Sequence, residues 1–297
     1  MKTKYLQLIN PLKWAKAYRL KKQDGKYDKS KSDLELNLYS KILKNDMLHY
    51  GYFEDPETAA DTISIKDIED AQVRYAQNII DLITDKKGLI LDVGCGMGGL
   101  SAILTEQKFK VEALTPNKNQ IRHIQNKYSN IPVHNCKFED VPETKTYRTV
   151  INSESFQYIN LKIGLEKINA ITEPGARWII TDYFRLHNDG VNKSSHLYDE
   201  FIATIEKSNW KIVYQKDITP NILPMLRLLN LYVERFLFPI KNFGFEKLRY
   251  KQGFLYYLTQ EQREGIDGKI YKEVASIDPV KFENEKKYMI FALERKA

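Results

Sequence analysis

A chain of 297 residues with 42% hydrophobic side chains can bury a substantial core, as one large domain or two small ones. Its net charge of +7 and pI near 9.0 suit an anionic partner or a solvated basic surface, and two cysteines, Cys95 and Cys136, are too few for a disulfide framework or a zinc site. No apolar run is long enough to span a bilayer and Met1-Lys2-Thr3-Lys4 lacks a secretory core, so a cytoplasmic protein without a metal is expected.

Residues 1–87 predict a helical N-terminal cover. Lys13, Lys16, Arg19, Lys21, Lys22 and Lys26 crowd its start, and the segment Leu6 to Leu20 mixes them with Leu, Ile, Trp14 and Tyr18. A solvated basic helix is the plain reading. An amphipathic helix lying on an anionic membrane is the second, and nucleic acid a third. From residue 88 short apolar runs alternate with helical patterns: Leu89 to Val93, Lys110 to Leu114, Pro132 to Cys136, Tyr147 to Asn152, Ala176 to Asp182 and Trp210 to Tyr214, with Tyr288 to Leu293 at the end. Pro174-Gly175 reads as a helix exit before the fifth strand. The pattern predicts an α/β, doubly wound Rossmann-like core over 88–215 plus 287–297, interrupted by a helical substrate cap over 216–286. The cap carries an apolar stretch from Ile222 through Phe238, which must be buried or must line a greasy cavity.

Leu91-Asp92-Val93-Gly94-Cys95-Gly96-Met97-Gly98-Gly99 places glycines where the first strand turns into a helix. Glycine there lets the backbone turn sharply and lets a ligand approach the free N–H groups of the helix N-terminus. Gly94, Gly96 and Gly99 also fit a dinucleotide fingerprint, so the glycines alone do not separate a nicotinamide enzyme from an S-adenosylmethionine enzyme. Asp92 separates them. A carboxylate two residues before the first glycine repels a pyrophosphate and attracts the α-ammonium of a methionine moiety.

In these residues the chain resembles class I S-adenosylmethionine-dependent methyltransferases, whose first motif is apolar-Asp-apolar-Gly-x-Gly-x-Gly. The resemblance covers most of Leu48 to Asp182, and it implies the seven-stranded methyltransferase sheet whose last strand is inserted antiparallel. Leu48-His49-Tyr50-Gly51-Tyr52-Phe53 resembles the segment before the core in methyltransferases acting on sterols and tocopherols, which implies that Tyr52 covers the cofactor and that His49 stands near the chemistry. By the same resemblance Asp92, Gly94, Cys95, Gly96 and Gly98 hold the methionine end, Thr115 and Gln120 the ribose side, and Phe138 with Glu139 the adenine. The family's usual acids at the ribose and adenine positions match Ala113 and Lys137 here, and alternation turns Glu112 to the opposite face. Asn152-Ser153-Glu154-Ser155-Phe156-Gln157-Tyr158 matches the segment facing the transferred methyl, which implies Ser153 and Glu154 at the cofactor and Gln157 and Tyr158 at the acceptor. If the acceptor is an alkene, aromatic faces stabilise the cation that methylation makes, and Tyr183 after the fifth strand and Tyr256 or Tyr257 of the cap are the candidates.

Cyclopropane fatty acid synthases share this resemblance. They carry a cysteine that aligns with Tyr50 and a Glu-His pair that aligns with Gln157-Tyr158, and all three differ here, which argues against cyclopropanation. The reading is therefore methyl transfer to a small lipophilic acceptor such as an isoprenoid, sterol-like, quinone or polyketide compound, with carbon ahead of oxygen or nitrogen. Two alternatives remain: an RNA or protein methyltransferase, suggested by the basic balance, and a non-catalytic membrane-associated protein of the same fold.

Overall fold

The computed structural model describes residues 11–24, 41, 44–188 and 195–297. Lys26 and residues 6–10 of the Leu6 to Leu20 segment lie outside them. The rest of that segment belongs to helix α1, Pro11–Asp24, where apolar Leu12, Trp14, Tyr18 and Leu20 interleave with the bases around the whole circumference and all are exposed. Among the described residues no helix is long and apolar enough to cross a membrane.

Seven strands form one sheet: β1 Leu89–Val93, β2 Lys110–Leu114, β3 Val133–His134, β4 Tyr147–Ser153, β5 Thr172–Arg185, β6 Trp210–Asp217 and β7 Lys286–Arg295. Their spatial order is β3-β2-β1-β4-β5-β7-β6, parallel from β3 to β5, with β7 antiparallel to both its neighbours. Consecutive strand residues face opposite sides, and the middle strands β1, β4, β5 and β7 are covered on both, so their central residues are buried on both faces, whereas the edge strand β6 is largely exposed. Ile90, Ile151, Ile179 and Ile290 point into one core while Leu91, Val150, Ile180 and Phe291 point into the other. The first core is covered by α2, Ile65–Ile80, through Tyr75, Ala76, Ile79 and Ile80. A capping box fixes the start of that helix: Ser64 accepts from the Asp67 N–H, and Asp67 accepts from the Ser64 N–H.

Four strands, β4, β5, β6 and β7, reach further than the apolar runs, β5 most of all. β5 begins at Thr172, so Pro174 and Gly175 lie inside a distorted strand rather than at a helix exit, and the β4–β5 register shifts between Tyr147 and Thr149. The expected third strand is shorter: only Val133 and His134 pair with β2, at the sheet edge.

After β6 the chain enters α7, Thr219–Tyr232, whose Ile222, Leu223, Leu226 and Leu228 are buried. The helix does not continue as one apolar rod. A π-helical turn, Val233–Leu237, leads into α8, Phe238–Lys251, and then α9, Gly253–Leu258, and α10, Gln260–Ser276, none of which buries a residue. Of the apolar stretch expected to be buried or to line a cavity, only the part up to Leu228 and Val233 is buried, while Phe236 is 55% exposed and Ile240 and Phe243 beyond it are exposed too. A short helix α11, Pro279–Glu285, then seats Phe282 in the core and returns the chain to β7. Three more helices pack on the sheet, α3 Gly99–Glu106, α5 Leu161–Ile171 and α6 Tyr198–Glu206, while α4 Lys118–Lys127 follows β2.

The exits of β1 and β4 are held together at Gly94. Its φ is +69°, and a Cβ there would stand 2.4 Å from the Cβ of Ser155, whose hydroxyl donates to the Val93 carbonyl at 2.6 Å. Gly94→Ala combines a left-handed backbone with a side-chain clash and should cost about 2–4 kcal/mol, read as a lowered denaturant midpoint. An unchanged midpoint would contradict this account of the turn.

Candidate active site

The residues that leave β1, β2 and β4 at their C-terminal ends surround a cavity of about 410 Å3. This is where an open parallel sheet places its ligands, because β1 connects outward in both directions from this point. Asp92, Gly94, Cys95 and Gly96 form its floor, Thr115 and Gln120 one side, Ser153 and Glu154 another, and Asp46, Met47, Leu48 and His49 its cover. Gly96, with φ +56°, has only Leu48 near its missing Cβ, at 3.5 Å, so a side chain there would enter the cavity.

Asp92 is fully buried and bonded by the Ser101 hydroxyl at 2.5 Å, and among the described residues it has no ion pair. Burial raises its pKa to about 6, the Ser101 bond partly offsetting this. The cover is pinned from two sides. Gln72 of α2 donates to the Met47 and His49 carbonyls at 3.1 and 2.9 Å, and buried Asp46 takes Lys127 at 2.6 Å, Tyr128 at 2.8 Å and His123 at 3.0 Å. Burial alone would raise the Asp46 pKa, but the Lys127 ammonium and its companions bring it below the usual carboxylate range.

Glu154 sits at the end of the cavity with φ +50°, left-handed and non-glycine. Its Oε1 accepts from Tyr288 at 2.5 Å, the Tyr288 and Tyr75 hydroxyls lie 3.1 Å apart, and Tyr75 meets Ser153 Oγ at 3.2 Å. His49 stacks on Tyr75 with ring centres 3.8 Å apart. Burial lowers the His49 pKa to about 3, which leaves it neutral and a poor base, and its Nδ1 has no partner among the described residues. Burial raises Glu154 to about 7 against the bonds from Tyr288 and the Tyr50 backbone. Asp182, at the end of β5, is raised to about 8, first by burial and then by the charge of Glu154, although it accepts the Gln157 and Tyr183 N–H groups at 3.0 and 2.9 Å.

Of the residues singled out in the sequence, the cavity brings together His49, Asp92, Gly94, Cys95, Gly96, Thr115, Gln120, Ser153, Glu154 and Tyr158. Six others, Tyr52, Gly98, Phe138, Glu139, Gln157 and Tyr183, lie elsewhere. Tyr52 points away toward β6, where its hydroxyl accepts from Lys216 at 2.8 Å. Gly98 packs behind the turn on Ile124 and Tyr128. Phe138 is buried in the second core, Glu139 does not line the cavity, and Gln157 turns outward to accept from the Tyr183 hydroxyl. Tyr183 lines a neighbouring hollow, and Tyr256 and Tyr257 lie in the exposed cap. Glu112 accepts from Lys145, His134 and Tyr147 at 2.5, 2.7 and 2.9 Å on the far side of the strand, as alternation requires. Asp46, Tyr75, Asp182 and Tyr288 were not legible as site residues; they come from the cover, a helix and the last two central strands. A wider hollow of about 560 Å3 between α6 and β6 contains none of these groups.

This geometry defines an α/β protein of the class I methyltransferase fold. Residues 90–175 match the family model described as a methyltransferase domain. A protein of Alkaliphilus oremlandii described as an uncharacterized methyltransferase is 36% identical over 121 residues, 39% of this chain and 55% of that one. The chain spans about half the length of the curated relatives it matches. Among solved structures, a geranyl diphosphate methyltransferase in complex with GPP and sinefungin is similar with a TM-score of 0.65 at 16% identity, over 90% of this chain and 96% of the other. A cyclopropane synthase of Mycobacterium tuberculosis gives 0.61 at 13% identity, over 88% and 95%.

Glu154 and Asp182 carry a pH signature. Each holds a proton in the folded state that the unfolded chain releases at ordinary carboxyl pKa values, so stability falls as pH rises toward 7 and 8. Melting between pH 6.5 and 8 should show this fall, at most about 1.4 kcal/mol per pH unit for each carboxyl, and Asp182→Asn should flatten it. A slope unchanged in that variant would refute the assignment.

Proposed function

We propose that the protein transfers a methyl group from S-adenosylmethionine to a carbon atom of a small lipophilic acceptor. The observation that carries this reading is the single cavity that joins the buried carboxyl of Asp92 at the glycine turn to Glu154 at its far end. S-adenosylmethionine supplies an activated methyl group on a sulfonium centre. Asp92, buried without an ion pair, complements an α-ammonium, and the open face of Gly96 leaves room for the methionine chain. Thr115 and Gln120, bonded to each other at 2.6 Å, offer a hydroxyl and an amide to a ribose, and the unpartnered Nδ1 of His49 offers one more polar atom.

Most of the acceleration in such a displacement comes from holding donor and acceptor close and in line, which a cavity with a pinned cover provides. Carbon methylation of an alkene leaves a cation on the acceptor and then a proton to remove. The faces of Tyr50 and Tyr183, packed edge-on to Tyr288 and Phe282, stabilise the first. Glu154 takes the second: with a pKa near 7 it is a base of matched strength at neutral pH, oriented by Tyr288. Support for an acceptor of the isoprenoid, sterol-like, quinone or polyketide kind comes from similarity to solved structures described as geranyl diphosphate methyltransferases.

Calorimetry tests the cofactor directly. S-adenosylmethionine should bind the wild-type chain, and Asp92→Asn should weaken it at least tenfold, as expected for loss of a buried charge partner worth about 1.5–3 kcal/mol; no binding to the wild type ends the proposal. With a panel of prenyl and quinone acceptors, Glu154→Gln should lower turnover by about 10²–10⁴-fold. Wild-type turnover should rise with pH through about 7, because only the ionised Glu154 accepts a proton.

A further inference from the structure

Beside the cofactor cavity lies a second hollow, also about 410 Å3, between the β5 and β7 strands and helices α10 and α11. Its charged lining is Lys272, Glu273, Lys281, Glu285 and Lys286. Lys281 and Glu285 face each other at 3.8 Å, which matches one base to one acid. Lys286 is different. It is only 6% exposed, and among the described residues its ammonium makes no ion pair and no hydrogen bond. Its Nζ lies 4.4 Å from the ring centre of Tyr183 and 5.2 Å from that of Phe282. A buried lysine without a carboxylate is unusual, because leaving water costs the ammonium far more than two aromatic faces return. Burial, aided by the charge of Lys281 and opposed by that of Glu285, lowers its pKa.

The hollow adjoins the chemistry. His49 lines the cofactor cavity and the next residue, Tyr50, lines this one, so the two share a wall. Tyr50 and Tyr183 stand in that wall, each about 6.4 Å ring to ring from Tyr288, which bonds Glu154. A molecule seated here with one end at Lys286 has its other end directed at the Tyr50–Tyr183 wall and Glu154 behind it.

We propose that this hollow anchors the acceptor and that the acceptor carries an anionic group, a carboxylate or a phosphate, which pairs with Lys286. The proposal rests on the methyl-transfer reading for its meaning but not for its measurement. The anion supplies the direct partner that Lys286 lacks among the described residues, where only the more distant charge of Glu285 favours the ammonium, and the tyrosine and phenylalanine faces hold it in place before the anion arrives. The apolar part of the acceptor then lies along Phe282, Tyr50 and Tyr183. Three lysines against two glutamates leave the lining net positive, which favours an anionic over a cationic acceptor in this subsite.

Dodecanoate, dodecyl phosphate and dodecanol, titrated calorimetrically into the full chain with and without S-adenosylhomocysteine, separate the outcomes. One of the two anions should bind at least tenfold more tightly than dodecanol, and which one does so names the class. Lys286→Met should abolish that preference while leaving S-adenosylhomocysteine affinity unchanged, and Lys286→Arg should keep it. Equal binding of anion and alcohol, no binding of either anion, or a preference that survives in Lys286→Met overturns the proposal. Should Lys286→Met not fold, the wild-type comparison decides alone. If S-adenosylhomocysteine fails to bind the wild type while the anion preference is present, the methyl-transfer reading falls and the anion subsite stands.

Discussion

Ser155 occupies the space that a side chain at Gly94 would need, and its hydroxyl joins the Val93 carbonyl at 2.6 Å and the Asn152 amide at 3.0 Å. Two parallel strands thus end at one point with their backbones in contact. Glu154, one residue before Ser155, is forced into a left-handed conformation that carries its carboxylate toward the cavity and Tyr288. The glycine turn therefore does more than admit a ligand to a helix N-terminus. It fixes how closely β4 can approach, and through that contact it sets the position of the acid on the opposite side of the cavity.

Asp92 and Glu154 line this pocket and Asp182 lies close to Glu154; Asp92 and Asp182 are fully buried and Glu154 half-buried, each has a raised pKa, and among the described residues none has a basic partner. Asp46 shows the contrast. Also buried, it is held by Lys127, His123 and Tyr128 and stays ionised, and its work is to fasten the cover. The chain gives basic partners to the carboxylate that fastens the cover and gives none, among the described residues, to the carboxyls at the cavity and beside it. Such sites store electrostatic free energy in the folded state, and a cation entering the cavity recovers part of it.

The sheet was legible because burial on both faces makes its inner strands largely apolar runs, and Leu89 to Val93 and Lys110 to Leu114 could be bounded to the residue. The long β5 was not, since pairing of Thr172 with Tyr147 is a tertiary fact that Pro174-Gly175 conceals. The apolar stretch through Phe238 misled for a related reason: composition shows that a helix is apolar but not where a π turn ends its packing. At the site, the residues joined by local sequence, from Asp92 to Gly96 and from Ser153 to Glu154, could be read. The network of His49, Tyr75, Glu154 and Tyr288 could not, because its members stand up to 239 positions apart and only the antiparallel insertion of β7 beside β5 brings Tyr288 opposite Tyr183.

That insertion also explains why two cavities share one wall. β7 runs antiparallel, so its first residues, Lys286 to Tyr288, arrive at the same end of the sheet where β1, β4 and β5 finish. Tyr288 faces the core on the Glu154 side, and Lys286, two residues earlier on the same strand face, extends that line to the second hollow. Along β7 the strand period therefore spaces an oriented acid–tyrosine pair and an unpaired ammonium at two-residue separation, about 6.6–6.8 Å apart along the strand. For an acceptor anchored as proposed, the separation between Lys286 and the Glu154–Tyr288 pair is then set by strand geometry and not by a loop.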